Sequence, residues 1–231
     1  MVSHGFFLVR RFLAPTIPAE GGLVRLGKDV SHHLLRVTGI APGEVVELFD
    51  GSGLSCRAEL VRVAEGVAML KVTELLETQV LLRQIHLVLA QTRANTMDTV
   101  LRMVSELGVA SIQVVQTHRC VAKGNKIDRW VRIVQSAAAQ SGRSVVPLMH
   151  LPVAFSDLIA RIEGTRLICA PGNSVGPPVS GNITLLVGPE GGFTAEEIDQ
   201  AVARGWGLVG LGDTVLKADT AAVVAVAQYA F

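Results

Sequence analysis

The segment of this chain best suited to chemistry is Leu185-Leu186-Val187-Gly188-Pro189-Glu190-Gly191-Gly192-Phe193-Thr194-Ala195-Glu196-Glu197. An apolar run reads as a buried strand, a turn with three glycines and a proline follows it, and a helix begins at once. Thr194 with Glu197 three residues later is a capping box, which fixes that helix start. Ligands of parallel sheets bind at the carboxyl ends of strands, where glycines let backbone amides come close to them. The loop therefore reads as a binding loop, with an ordinary left-handed turn as the plain alternative. A second candidate loop runs from Gly210 through Leu211, Gly212, Asp213, Thr214, Val215, Leu216 and Lys217 into an Ala/Val-rich helix. Small residues there suit the close approach of another helix or subunit, and simple core packing would use the same residues.

Basic residues gather in two places. Arg10 and Arg11 have Arg25, Lys28 and Arg36 near them in sequence, and Lys123, Lys126, Arg129 and Arg132 recur from a loop into a helix, with Arg143 beyond them. Such groups suit phosphate contacts, the main source of sequence-independent RNA affinity, although a solvated helix face has the same pattern. No structural metal is expected. His32 and His33 are adjacent and so point about 100° apart on a helix, and no Cys-x-x-Cys pair occurs. Gly205-Trp206-Gly207-Leu208-Val209-Gly210 matches the spacing of the dinucleotide fingerprint, but a helix precedes it and a strand follows, the reverse of what that motif needs. Walker A, nucleophile-elbow and zinc-deaminase signatures are missing from the sequence.

These loops need elements to position them. In a chain of 231 residues with 49% hydrophobic and 18% charged residues there is ample material for one large domain or two modest ones. A formal charge of +1 leaves any nucleic-acid contact to local patches. Three scattered cysteines argue against a disulfide framework and for a reducing compartment. The N-terminus lacks the order of a signal peptide, and the apolar run from Ala221 to Ala227 is too short to span a bilayer, so a cytoplasmic protein is expected.

Residues 1–73 read as short strands at Phe6 to Leu13, Leu23 to Leu26, Glu44 to Phe49, Leu54 to Val63 and Val67 to Thr73, with a helical stretch from Val30 to Val37. That is the pattern of a small β-barrel carrying a helix. Residues 74–84 read as a linker. Over 85–231 strands at Ile85 to Ala90, Ser111 to Gln116, Arg166 to Ala170, Thr184 to Val187 and Leu208 to Leu211 alternate with helices. The helices fall at Thr96 to Leu107, Ile127 to Gln140, Phe155 to Ile162, Ala195 to Arg204 and Lys217 to Tyr229. Such alternation implies a mainly parallel sheet with helices on both faces, an α/β fold.

The chain resembles the bacterial 16S ribosomal RNA uridine-N3 methyltransferases, the small-subunit methyltransferase E type of the SPOUT superfamily. The resemblance runs nearly end to end: Arg10-Arg11-Phe12; His33-Leu34-Leu35-Arg36-Val37 followed by Gly43; Ser105-Glu106-Leu107-Gly108-Val109; Arg119-Cys120; Arg129-Trp130; and Ala138-Ala139-Gln140-Ser141-Gly142-Arg143. It closes with Val187-Gly188-Pro189-Glu190-Gly191-Gly192-Phe193 and Leu211-Gly212, whose order and separation are specific. It implies an N-terminal PUA-like barrel for RNA, a trefoil-knotted C-terminal domain with the dimer interface, and a homodimer acting on 16S rRNA or the small ribosomal subunit. It implies S-adenosyl-L-methionine as cofactor, held by Leu186, Gly188, Pro189, Glu190, Gly191 and Gly192 and by Leu211, Gly212, Leu216 and Thr220. Arg10, Arg11, Arg36, Lys123 and Arg143 would face RNA, and Arg143 and Lys217 are the candidate catalytic cations.

Four positions depart from the family pattern. Where members read Leu-Arg-x-Glu-Thr-Ala, this chain has Leu216-Lys217-Ala218-Asp219-Thr220-Ala221; Lys217 keeps the charge but loses the bidentate fork, and Asp219 is one methylene shorter than glutamate. Ala139 stands for a family glutamate and Met103 for a lysine. Other rRNA or tRNA targets, a ribose 2′-hydroxyl, and a non-catalytic RNA-binding role on the same fold are the alternative readings.

Overall fold

The computed structural model of the chain describes residues 10–230. It divides into two compact units, the first comprising the described part of Met1–Val80 with Ala138–Val146, the second Leu81–Ala137 with the described part of Pro147–Phe231. Among the described residues, no helix is long and apolar enough to cross a membrane.

The first unit contains strands β1 (Arg11–Leu13), β2 (Leu23–Arg25), β3 (Val45–Phe49), β4 (Ser55–Ala64) and β5 (Val67–Leu75). Helix α1 (Lys28–His32) runs directly into a π-helical turn, His33–Val37. The first expected strand was placed from Phe6, and its opening residues lie outside the described residues. Period-two alternation sends Val46, Leu48, Ala58, Leu60, Leu70 and Val72 into a core that Leu34 of the helical turn completes. The five described strands pair in the order β1-β3-β4-β5-β2. The expected closed barrel is not what these ladders make. Closure needs the end strands to pair, and here both have only three residues and pair inward, β1 parallel to β3 and β2 antiparallel to β5. The segment Ala138–Val146 is held within this unit by Gly53 N–H to Ser144 O (3.1 Å), Val146 N–H to Gly51 O (2.9 Å), and Gln79 Oε1, which accepts from Ser144 N (2.7 Å).

The second unit is the α/β layer. Its strands are β6 (Ile85–Ala90), β7 (Ser111–Gln116), β8 (Leu148–Ala154), β9 (Thr165–Cys169), β10 (Ile183–Val187) and β11 (Gly207–Val209). They lie in the order β11-β9-β10-β6-β7-β8, and every ladder is parallel. The central strand β10, Ile-Thr-Leu-Leu-Val, is buried along its whole length, as expected of a strand covered on both faces. Side chains at Val88, Ala90, Ile168 and Leu186 pack under α4 (Phe155–Ile159) and α5 (Ala195–Ala203), through Phe155, Leu158, Ile159, Ile198 and Ala201. The opposite face carries α2 (Ala94–Leu107), which buries Met97, Val100, Leu101 and Val104, and α6 (Ala218–Ala230), which packs on α2, β6 and β10. Burying each such Leu or Ile side chain stabilises the fold by about 1.5–3 kcal/mol relative to exposure. Helix α3 (Ile127–Gln140) follows β7.

Three elements match their expected bounds: β6, β7 and α3. The expected helix from Phe155 stops at Ile159 rather than Ile162, and β8 was not foreseen.

Candidate functional site

Strand β10 ends at Val187, and Gly188 follows at the sheet's carboxyl edge. A methyl group on Gly188 would sit 3.1 Å from the Phe193 ring, so the backbone itself must form the wall there. The turn then closes with Gly192 N–H donating to Pro189 O (2.9 Å). The expected capping box is present: Thr194 accepts from Glu197 N (3.2 Å), and the Glu197 carboxylate accepts from Thr194 N (2.9 Å). The other Glu197 oxygen accepts from His118 N (2.8 Å), which ties the loop after β7 to the start of α5.

That loop carries Arg119. Its guanidinium donates to Gly191 O (2.8 Å) and Phe193 O (3.2 Å), clasping the glycine loop. On the other side Glu190 Oε1 accepts from Arg93 N (3.2 Å), at the carboxyl end of β6. Segments at the carboxyl ends of β7, β9, β10 and β11 meet around a cavity of about 300 Å³, at the lower end of the size range for small-molecule sites.

The cavity is lined by Gly188, Pro189, Glu190, Gly191 and Gly192 from the first loop and by Leu211, Gly212, Thr214, Val215 and Leu216 from the second. Cys169, Ala170 and Pro171 at the end of β9 form a further wall. Burial pushes the Cys169 thiol up to about 12, so this wall is apolar and uncharged at neutral pH. Its apolar side chains suit a flat ring, and its polar groups are mostly backbone N–H and C=O. Among the described residues, no group of three or more His, Cys, Asp or Glu could hold a metal ion.

Other expected site residues lie elsewhere. Leu186 is fully buried under α4 and α5; alternation along β10 turns it away and presents Val187 instead. Thr220 is exposed and bonds its neighbour, through N–H to Asp219 Oδ1 (2.8 Å). Lys217 is exposed between two lining residues, Leu216 and Ala218, without lining the cavity itself. Arg10, Arg36 and Lys123 are exposed, and Arg10 donates to Thr38 O. Arg11 is different. Its side chain is 10% exposed and pinned by Glu47 Oε1 (2.7 Å) and Ser144 Oγ (2.8 Å), with its guanidinium 5.1 Å from the Phe49 ring centroid. Arg143 is half-buried, burial pushes its guanidinium below the ordinary arginine range, and its Nε has no partner among the described residues.

Arg119, Cys169 and Pro171 were not foreseen as lining residues. Their signal was available, because Cys169 ends β9 and Pro171 and Arg119 follow the carboxyl ends of β9 and β7, and the rule applied to β10 and β11 applies equally there.

Comparisons with known proteins agree with this geometry. Residues 80–230 match the family model described as an RNA methyltransferase domain. The ribosomal RNA small subunit methyltransferase E of Synechocystis is 34% identical over 241 residues, covering 98% of this chain and 78% of that protein. That of Mycobacterium tuberculosis is 28% identical, covering 93% and 88%. Among solved structures, a methyltransferase from Legionella pneumophila in complex with the bound cofactor SAM superposes with a TM-score of 0.90 at 29% identity, covering 95% of this chain and 96% of that one. A ribosomal RNA small subunit methyltransferase E from Neisseria gonorrhoeae bound to S-adenosyl methionine gives 0.89 at 31% identity, with the same coverage.

Proposed function

The chain belongs to the ribosomal RNA small subunit methyltransferase E family, and from that premise we propose that it is an S-adenosyl-L-methionine-dependent methyltransferase acting on N3 of a uridine in 16S rRNA. The observation that carries the reading is the glycine-walled cavity at the carboxyl ends of β10 and β11. The residues present fit the cofactor. Leu211, Val215, Leu216 and Ala221 offer apolar surface to the adenine, and the backbone of Gly188, Pro189, Glu190, Gly191, Gly192 and Gly212 offers hydrogen bonds to its polar ends. When bound, the cofactor supplies an electrophilic methyl group on a sulfonium.

The chain's own residues then have three tasks. The two loops hold the donor in a fixed pose, so much of the acceleration comes from positioning. The apolar wall around Cys169 would keep water from the part of the cofactor that lies against it. The third task concerns the acceptor, because N3 of uridine carries a proton at neutral pH and is a poor nucleophile. A base must take that proton, or a cation must stabilise the anion that forms as it leaves. Lys217 and Arg143 are the cations assigned to that role; the Lys217 ammonium has no partner among the described residues, and Arg143 keeps an unpartnered Nε. The target base is expected to leave its stack to react.

Residues 1–73, within the first unit, are assigned to RNA as a PUA-like module, with 74–84 leading on to a methyltransferase domain at 85–231 from which Ala138–Val146 returns to the first unit. Exposed Arg10, Arg36 and Lys123 supply phosphate contacts. A knotted path in the second unit is supported by α6, which follows the edge strand β11 yet packs on β6 and β10 at the sheet's centre. Homodimerisation is supported by the other side of α6, where Ala221, Val223, Val224 and Ala227 stay partly exposed. A substrate of 16S rRNA or the small ribosomal subunit supports a cytoplasmic location.

The test is transfer of labelled methyl groups to small ribosomal subunits from a strain lacking this protein, followed by nuclease digestion and mass spectrometry. A single 3-methyluridine is expected. A methylated ribose or another base would overturn the N3 assignment. No transfer, together with no cofactor binding, would leave an RNA-binding protein on a methyltransferase fold.

A further inference from the structure

A second cavity, also about 300 Å³, opens at the opposite edge of the same sheet, over the amino ends of β6, β7, β8 and β10 and beside α4. Strands covered by helices are normally apolar at such positions. Here the register sets Thr184, His86 and Ser111 side by side on three neighbouring strands, with Gln113 and His150 paired further along. All five line the cavity. Thr184 and Ser111 are buried at 7% and 9% exposure, and burying polar groups is unfavourable unless they are hydrogen-bonded.

Some of their bonding capacity is used within the protein. His86 Nδ1 lies 2.7 Å from Ser111 Oγ, and Gln113 Nε2 donates to Leu151 O (2.6 Å). The rest is unspent. Burial, and then the neighbouring His150, hold His86 below the ordinary histidine range, so it is neutral at pH 7 with Nε2 uncommitted. The Thr184 hydroxyl and the Arg161 guanidinium have no partner among the described residues, and neither has the Asp157 carboxylate. Val153, Leu158 and Ile162 complete the cavity with apolar surface.

Donor capacity is ample here: the Arg161 guanidinium, the Thr184 hydroxyl and, when Ser111 donates to His86 Nδ1, the His86 Nε2–H face the cavity beside one carboxylate, Asp157, and an apolar wall. A phosphate takes several donors from different directions, Asp157 can accept from a sugar hydroxyl, and the aliphatic wall suits a flat ring. We propose that this cavity is a second ligand site, for a nucleoside monophosphate, with Arg161 as the main phosphate contact. The inference is independent of the methyl-transfer reading, because it draws on none of the residues around the glycine loop.

The test is calorimetric titration of the purified full chain with uridine 5′-monophosphate and adenosine 5′-monophosphate, with ribose 5-phosphate and uridine as partial probes. One site per chain is expected, with Kd below about 1 mM for at least one nucleotide. Arg161→Gln should weaken it about tenfold, and Thr184→Val, which keeps the shape and removes the hydroxyl, about threefold. Gly188→Ala, at the other cavity, should leave it unchanged. Arg161 is exposed, so its replacement spares the core, and a thermal melt of each variant checks this. Ribose 5-phosphate should bind more weakly than the nucleotides, and uridine weakest of all. No binding of either nucleotide at about 5 mM would overturn the proposal. So would Arg161→Gln binding like the native chain, uridine binding as tightly as its phosphate, or loss of binding in Gly188→Ala.

Discussion

The two loops that line the first cavity are held in opposite ways. The loop after β10 is clasped from three sides, by Arg119 on two of its carbonyls, by Arg93 N–H on Glu190, and by the capping box that also takes His118 N–H. The loop after β11 is fixed at its base, where Gly210 N–H meets Ser174 O (2.8 Å), and again at Lys217 O, which accepts from Ala221 N (2.8 Å). Between these points Gly212, Asp213, Thr214 and Val215 are exposed, Val215 to 81%. One wall is therefore tied to its surroundings by side chains, while the tip of the other is exposed and held only at its two ends. Preorganising one wall limits the entropy lost on binding, and leaving the other open gives the ligand a way in.

That contrast can be broken at several points. The largest effect is expected at Cys169, in the wall at the end of β9 that lines the cavity together with the two loops. A thiol pushed from 9.0 up to about 12 has roughly a thousandfold less thiolate at pH 8 than an ordinary one. Iodoacetamide at that pH should leave Cys169 unmodified over a period that fully alkylates a free thiol, as followed by peptide mass spectrometry. Rapid labelling would mean that this wall opens. Next is Gly210→Ala, whose methyl group would overlap the Asn173 carbonyl oxygen. Urea unfolding should show a loss of about 3 kcal/mol, and native stability would mean that the base of the second loop is as free as its tip.

Arg119→Ala should raise the Kd for S-adenosyl-L-methionine about tenfold, and Arg119→Lys should recover only part of that, because one ammonium cannot span two carbonyls as a guanidinium does. Equal affinity in all three proteins would show that the clasp is ornamental to binding. The smallest effect belongs to Val215→Ser, which should change stability by less than about 0.5 kcal/mol. A large loss of stability there would show that the second loop is already packed in the free protein.

Much of the second unit was legible in the sequence because its strands are apolar runs with glycine-rich ends and its helices carry clear stripes. The capping box at Thr194 and Glu197 even fixed a helix start to the residue. Strand β8 was missed because His150 and Pro152 interrupt it, and proline argues against a central strand; at the sheet's edge that objection lapses. Its burial is also weak, with Leu148 and Leu151 about 60% exposed, so no alternation shows. Leu186 was assigned to the wrong side because loop membership was read without strand parity. Arg11 looked like a surface cation, and nothing local reveals that Glu47 and Ser144, far away in sequence, have claimed its donors. The order of the strands was equally hidden, since parallel neighbours are chosen by crossovers rather than by the residues of either strand.

That order has a temporal side. The sheet's centre joins β6 to β10, and at their entry Gln84 N–H bonds the side chain of Asn182, 98 positions later in the chain. At ribosomal speeds of about 5–20 residues per second, β6 waits roughly 5–20 s after emerging before its central partner exists. Throughout that interval an apolar strand lies with one edge unpaired, the condition under which nascent chains stick to one another or to a chaperone. Parallel pairing across so long a loop is also slow once the chain is complete. This protein therefore carries an unpaired central strand through much of its own synthesis.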